Sequence, residues 1–225
     1  MAKLVLVRHG ESIANAENIY TGWNDVALSE KGIIQAKRAG ESIAKLKNFT
    51  PTHIHTSLLS RAIITANIIA DIGDFLWVPI TKTWRLNERH YGALRGINKE
   101  ESKKIFGIEQ VRQWRRGFDS VPPELKSNLA DRRYQNLDPK LIPKAESLHQ
   151  TQKRLMPYFE DQIAPNLRDG QDQLIVAHGS SLRALIKKLE QIDNHEILNL
   201  EVPNAQPIVY EFDNNLNIKN KKIFS

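Results

Sequence analysis

The sequence predicts an α/β domain: a three-layer α/β/α sandwich with a mainly parallel sheet and a helical lid insertion. Three observations predict it. Leu4–Val7 and Gln173–Ala177 are apolar runs without polar alternation, the composition of strands buried on both faces. Helix-period segments alternate with such runs, the order that builds parallel sheets. One long stretch, 88–145, breaks this rhythm as an insertion would. Residues 1–225 are therefore expected to form one domain, with 88–145 laid over the sheet as a lid.

Each element has a local reason. Lys3–Arg8 is the first buried strand. Ser29 can cap a helix whose apolar positions Ile33, Ala36, Gly40 and Ile43 recur at helical spacing. His53–Thr56 reads as a second strand. Ser60–Ile72 reads as a helix apolar nearly all round, and so well buried. Val78–Thr81 is a third strand. In the insertion, Asn98 and Glu101 suggest an N-cap with a capping box. Ile108, Val111 and Trp114 then repeat at helical spacing after Gly107, before Val121-Pro122-Pro123 and a polar segment to Lys144. Leu148, Gln152, Leu155, Phe159 and Ile163 mark a long helix that Pro157 should kink. The strand Gln173–Ala177, a helix Ser181–Leu189 and a last strand Pro207–Phe212 follow. Residues 217–222 read as a solvated basic tail.

Composition narrows the function classes. The chain has no cysteine, which excludes disulfides, zinc fingers and thiolate catalysis. No apolar run approaches the roughly 18–20 residues of a spanning helix, and the N-terminus lacks a signal-peptide shape because Arg8 ends its apolar stretch. A cytoplasmic enzyme without a membrane partner is expected. The net charge of +6 favours anions, whether nucleic acid, an acidic surface or a small phosphorylated metabolite.

The last of these is favoured by two similar segments. His9 and His178 each end a buried strand and are each followed by glycine, Gly10 or Gly179. Open α/β sheets place ligands at that end, and the glycine is expected to let a ligand approach the backbone. Arg8 adjoins one histidine, and Arg61 starts a helix directed at the same edge. Lys99 opens the lid, and Arg115 and Arg116 close its second helix. Together these cations describe a concavity for several negative charges. A histidine can attack phosphorus and carry the phosphoryl group, while arginines stabilise the transfer. Glu88, at the mouth of the lid, is the candidate to move a proton. No P-loop occurs and no metal-ligand array is evident. His53 and His55 share a strand face without a third ligand, so they are expected to be core or surface histidines.

At Leu6-Val7-Arg8-His9-Gly10-Glu11-Ser12 the chain resembles the histidine phosphatase superfamily. Within it, Tyr20-Thr21-Gly22-Trp23, Leu28-Ser29-Glu30-Lys31-Gly32, Leu86-Asn87-Glu88-Arg89-His90-Tyr91-Gly92, Trp114-Arg115-Arg116 and Ala177-His178-Gly179 look like the cofactor-dependent phosphoglycerate mutases. The resemblance implies His9 as phosphohistidine, with Arg8, Arg61 and His178 cradling the phosphoryl group and Glu88 exchanging the proton. It implies Asn15, Thr21, Gly22, Arg89, Tyr91, Lys99, Arg115, Arg116, Gly179 and Ser180 as substrate contacts. It further implies interconversion of 2- and 3-phosphoglycerate primed by 2,3-bisphosphoglycerate, without metal, by a homodimer or homotetramer. A histidine phosphatase acting on a small phosphorylated metabolite is the alternative. A nucleic-acid partner is not expected, because Trp23 and Trp84 fall inside the mutase-like motifs rather than on a basic face. Ser180 and Asn204-Ala205 depart from the usual Asn and Thr-Gly. With little chain beyond Phe212, closure of the site is expected to rest on the lid around Lys99 to Arg116.

Overall fold

The computed structural model describes residues 1–127 and 131–224. Its centre is β1 (Ala2–Arg8) paired in parallel with β4 (Gln173–Ala177), with Arg8 opposite Ala177 at the last rung. β2 (His53–Thr56) flanks β4 and β3 (Ile80–Lys82) flanks β2, both parallel. On the other side β5 (Ile208–Phe212) runs antiparallel to β1, and β6 (Ile218–Ile223) antiparallel to β5. The order is β3-β2-β4-β1-β5-β6.

Both faces of the sheet are covered, which is why its central strands do not alternate. Leu4 and Leu6 enter one core with Leu155, Phe159, Leu182 and Leu185. Val5 and Val7 enter the other with Ala39, Ile43, Ala66 and Ile69. The first layer is α6 (Leu148–Tyr158), α7 (Ala164–Arg168) and α8 (Gly179–Leu189). The second is α2 (Glu30–Ala44) and α3 (Ser60–Ile72).

Several expectations are corrected here. Ser29 does cap α2, accepting the Gly32 N–H at 3.1 Å, yet Ile33 points outward and Ala39 takes its place in the core. The buried face of α3 includes Arg61 and Thr65, while Ile64 faces solvent, so this helix is two-sided. Pro157 lies inside α6; its missing N–H is followed by a π-helical turn over Phe159–Ile163 before α7 resumes. The stretch 217–222 is not a loose tail. Asp213 Oδ1 accepts the N–H groups of Asn215 and Asn217 at 2.9 Å each, a tight turn that folds β6 back onto β5. A short helix not foreseen, α1 (Ile13–Ala16), starts at Ser12.

The insertion carries α4 (Lys99–Phe106) and α5 (Ile108–Arg116). Asn98 caps α4 by accepting the Glu100 N–H at 2.8 Å, without the reciprocal bond from Glu101. Among the described residues, only short 3-10 turns punctuate the path from Gly117 to Glu146; residues 128–130 of the expected lid lie outside them.

Gly10 serves packing rather than a ligand. A Cβ there would lie 2.2 Å from the Gly32 carbonyl oxygen, and one on Gly32 would lie 2.0 Å from that of Glu11. The loop after β1 and the first turn of α2 therefore touch backbone to backbone. His55 is a core histidine: Nδ1 meets Tyr158 Oη at 2.8 Å, Nε2 meets Gln173 Oε1 at 3.0 Å, and His53 stacks on it at 4.6 Å. Burial drives its pKa down to about 4.

Two outcomes are expected. Gly32→Ala should lower the urea-unfolding free energy by about 1–3 kcal/mol, the usual cost of overpacking; an unchanged midpoint would refute the backbone contact. His55, neutral when folded, takes up a proton near pH 6.5 when unfolded. Its contribution to stability is complete above that pH and is lost as pH falls towards 4, amounting to about 3 kcal/mol. Unfolding measured across this window should show the decline, and His55→Gln should flatten it.

Candidate active site

Because Arg8 and Ala177 are the last paired residues of β1 and β4, His9 and His178 emerge side by side. Their rings are 5.0 Å apart at 61°, and both are buried. His9 Nδ1 lies 2.6 Å from the Gly10 carbonyl oxygen, which can only accept, so Nδ1 carries the proton and Nε2 keeps its lone pair. Burial, then the charges of Arg61 and Arg8, hold the His9 pKa well below the ordinary imidazole value. His178 is lowered likewise by burial, Arg61 and His9. At neutral pH both rings are uncharged, as a nitrogen nucleophile requires. His178 Nε2 meets Ser57 Oγ, at the end of β2, at 2.7 Å.

Around them sit arginines tied to backbone carbonyls. Arg61, fully buried at the start of α3, donates to the Gly22 and Asn24 oxygens at 2.9 and 2.8 Å. Gly22 is therefore a support: its positive φ of 54° belongs to the turn whose carbonyl receives Arg61. Arg8 donates to the Val202 oxygen at 2.9 Å. Arg89 donates to the Arg115 oxygen at 3.0 Å and lies over the Tyr91 ring. Among the described residues, four buried guanidinium nitrogens have no acceptor: Arg8 Nε, Arg61 Nε, and Arg89 Nε and Nη1. An unsatisfied buried donor costs about 1–3 kcal/mol; gathered at one place, these donors form a cradle that an oxyanion would complete.

Glu88 is held beside it. Oε1 accepts the N–H of Arg89 at 2.8 Å and that of Ser180, in the first turn of α8, at 3.0 Å. Oε2 has no partner among the described residues. The Glu88 carbonyl accepts Trp23 Nε1 at 2.7 Å and Arg154 Nη2 at 3.0 Å. Arg154 is itself paired with buried Glu146 at 2.6 Å. The carboxylate thus has a fixed backbone and one free oxygen.

Above lies a pocket of about 480 Å³. The insertion contributes Lys99, Arg115 and Arg116 from α4 and α5, and Tyr91 from the segment before them; Asn15 and Thr21 come from the opposite wall, and Gly179 and Ser180 from α8. Burial lowers the Lys99 pKa, reinforced by Arg115 and Arg8 but opposed by Tyr91. Burial would raise the Tyr91 hydroxyl pKa, but the Arg89 charge beside it brings the net shift downward. His9, Arg61, Arg89 and His178 lie beneath this surface. The lining residues outside the expected site include Glu11, Lys31 and Gln35 on one rim, Glu201 and Asn204 on another, and Arg183 of α8. Glu11 follows the Arg8-His9-Gly10 triplet, which was a usable signal; Glu201, ion-paired with Arg116, gave none. Asn204 Nδ2 donates to the His9 carbonyl at 2.8 Å, and Ala205, at a positive φ of 50°, donates its N–H to the Arg8 carbonyl at 2.8 Å. Among the described residues no three His, Cys, Asp or Glu groups are placed to hold a metal ion.

Residues 4–220 match the model of the histidine phosphatase superfamily (branch 1). The chain is 70% identical over 223 residues to 2,3-bisphosphoglycerate-dependent phosphoglycerate mutase 2 of Lactobacillus johnsonii, covering 99% of this chain and 97% of that one. It is 52% identical to the 2,3-bisphosphoglycerate-dependent phosphoglycerate mutase of Lactobacillus acidophilus, covering 99% and 98%. Among solved structures, phosphoglycerate mutase from Bacillus anthracis superposes with a TM-score of 0.66 at 23% identity, over 93% and 88% of the two chains. A mycobacterial glucosyl-3-phosphoglycerate phosphatase complexed with VO3 reaches 0.75 at 23%, over 100% and 98%, and so shares the fold. With a family match that spans the sheet from β1 into β6, this chain belongs to the histidine phosphatase superfamily, branch 1.

Proposed function

We propose that this chain interconverts 2-phosphoglycerate and 3-phosphoglycerate through a phosphohistidine on His9, a step of glycolysis and gluconeogenesis. One observation carries the reading: unsatisfied buried donors converge around a neutral histidine that keeps a free Nε2. The names borne by the relatives at 70% and 52% identity support it. The same donors fit 2,3-bisphosphoglycerate, which supplies the phosphoryl group that loads His9.

The chain's own residues divide the work. His9 Nε2 forms the N–P bond as the ester O–P bond breaks, with the departing phosphoryl group held by Arg8, Arg61 and His178. Glu88 gives its proton to the released oxygen. In the return step Glu88 takes the proton from the hydroxyl that attacks the phosphohistidine, so protons and phosphoryl groups balance. Lys99, Arg115 and Arg116 hold the carboxylate and second phosphate, assisted by Arg89 and Tyr91. Asn15, Thr21, Gly179 and Ser180 complete the contacts, and Gly22 acts through Arg61. Residues 1–225 work as one domain, with 88–145 closing over substrate. The setting is the cytoplasm and the assembly a homodimer or homotetramer. No helix among the described residues is long and apolar enough to cross a membrane.

A coupled assay should show 2-phosphoglycerate forming from 3-phosphoglycerate, faster when 2,3-bisphosphoglycerate is added. Phosphate release without isomer formation would make the chain a phosphatase instead. Labelled 2,3-bisphosphoglycerate should leave an acid-labile, base-stable adduct on His9, absent from His9→Ala; label on serine would end this mechanism. Glu88→Gln should lower turnover by roughly 10²–10⁴-fold, the range of general acid–base catalysis, while remaining folded. A loss below about threefold would assign the proton to another group.

A further inference from the structure

We propose that Arg183 is a positioning residue. It sets where the Arg115–Arg116 pair stands relative to the two histidines, and so governs recognition of a substrate with a second anionic group. The inference rests on the mutase reading above and adds a residue to it.

Arg183 lies on α8, the helix that begins beside His178. It is 5% exposed on the wall of the pocket, and each guanidinium nitrogen donates to a backbone carbonyl. Nε donates to the Leu200 oxygen at 3.0 Å, and Nη2 to those of Ile197 and Arg116 at 2.7 and 3.0 Å. Nη1 donates to the Arg115 oxygen at 3.3 Å, which also accepts from Arg89. The carbonyls of Arg115 and Arg116 lie in the last turn of α5, where a helix has no internal donors left. Those of Ile197 and Leu200 lie in the segment leading to Glu201, which pairs with Arg116. One planar fork therefore fixes both the arginine pair and the approach to its carboxylate partner.

The anchor is rigid. Leu182, Leu185 and Ile186 on the same helix are fully buried against the sheet. No ion pair with a carboxylate competes for the guanidinium among the described residues. Burial lowers its pKa to about 10, so it stays charged at neutrality. The Arg116–Glu201 pair cannot replace this brace, because Glu201 is largely exposed. A lysine cannot replace it either: an ammonium is a point donor, whereas these carbonyls surround a plane.

The test compares two ligands by titration calorimetry on the whole chain. Orthovanadate, a small oxyanion, needs only the histidine–arginine cradle. 3-Phosphoglycerate also needs the lid cations. Arg183→Met should weaken 3-phosphoglycerate by about tenfold or more and orthovanadate by less than about threefold. A collapse of the fold would weaken both equally, and an equal loss overturns the proposal. Arg183→Lys should stay weakened for 3-phosphoglycerate; full recovery would show that charge alone suffices and would also overturn it. If Arg183→Met does not fold, the lysine variant carries the same comparison. In an Arg115→Ala/Arg116→Ala background, Arg183→Met should change 3-phosphoglycerate affinity by less than about twofold. A further tenfold loss there would mean that Arg183 binds substrate itself, against the proposal. A wild-type chain that binds orthovanadate but not 3-phosphoglycerate would instead overturn the mutase reading.

Discussion

Buried positive charge without an ion-paired carboxylate governs this molecule. Arg8, Arg61, Arg89 and Arg183 lie in or under the site, and none of the described ion pairs includes them. Stripping water from a cation is expensive unless other dipoles replace it. Here the dipoles are backbone carbonyls at Gly22, Asn24, Val202, Arg115, Arg116, Ile197 and Leu200. Each cation therefore dictates the course of a loop as it finds its acceptors. Burial, and after it the charges of Arg61 and Arg8, holds both histidines neutral. Loop shape and anion affinity thus share one cause, which also reinforces the neutrality of the nucleophile.

Arg154 is the instructive exception. It has a buried carboxylate, Glu146, and still donates to the carbonyls of Trp84, Arg85, Asn87 and Glu88. A charge balanced in this way makes no demand for an anion; it shapes the turn that presents Glu88. The unbalanced arginines attract, and the balanced one aligns. Donors already fixed before an oxyanion arrives need no rearrangement when charge develops, the condition under which such groups act most strongly.

The sequence made the scaffold and the centre of the site readable for physical reasons. Strands buried on both faces must be apolar throughout, so Leu4–Val7 and Gln173–Ala177 stood out, and their ends pointed to His9 and His178. Capping residues such as Ser29 have few alternatives at a helix start. Other features left little trace. An arginine bonded to carbonyls, such as Arg183, looks like any helical arginine, because its acceptors belong to the backbone and have no residue signature. The outward turn of Ile33 depends on which face of α2 meets the sheet, which spacing leaves open by one position. The contact of Gly10 with Gly32 joins two glycines distant in sequence, and each alone admitted a ligand as readily as a helix. β6 is polar because one side of it is solvent, so its lysines resembled a tail.

That strand has a consequence of its own. β6 is the outermost strand on its side of the sheet, and its free edge would otherwise offer a template for another chain's backbone. It bears Lys219, Lys221 and Lys222, with only its ends apolar. Lys221 reaches Glu190 and Lys219 reaches Asp213, which keeps these side chains beside the strand they guard. A second sheet approaching that border would meet like charge and hydrated ammonium groups. The segment that looked least structured is thus a barrier to fibrous or amorphous self-association, protecting a concentrated protein from its own backbone.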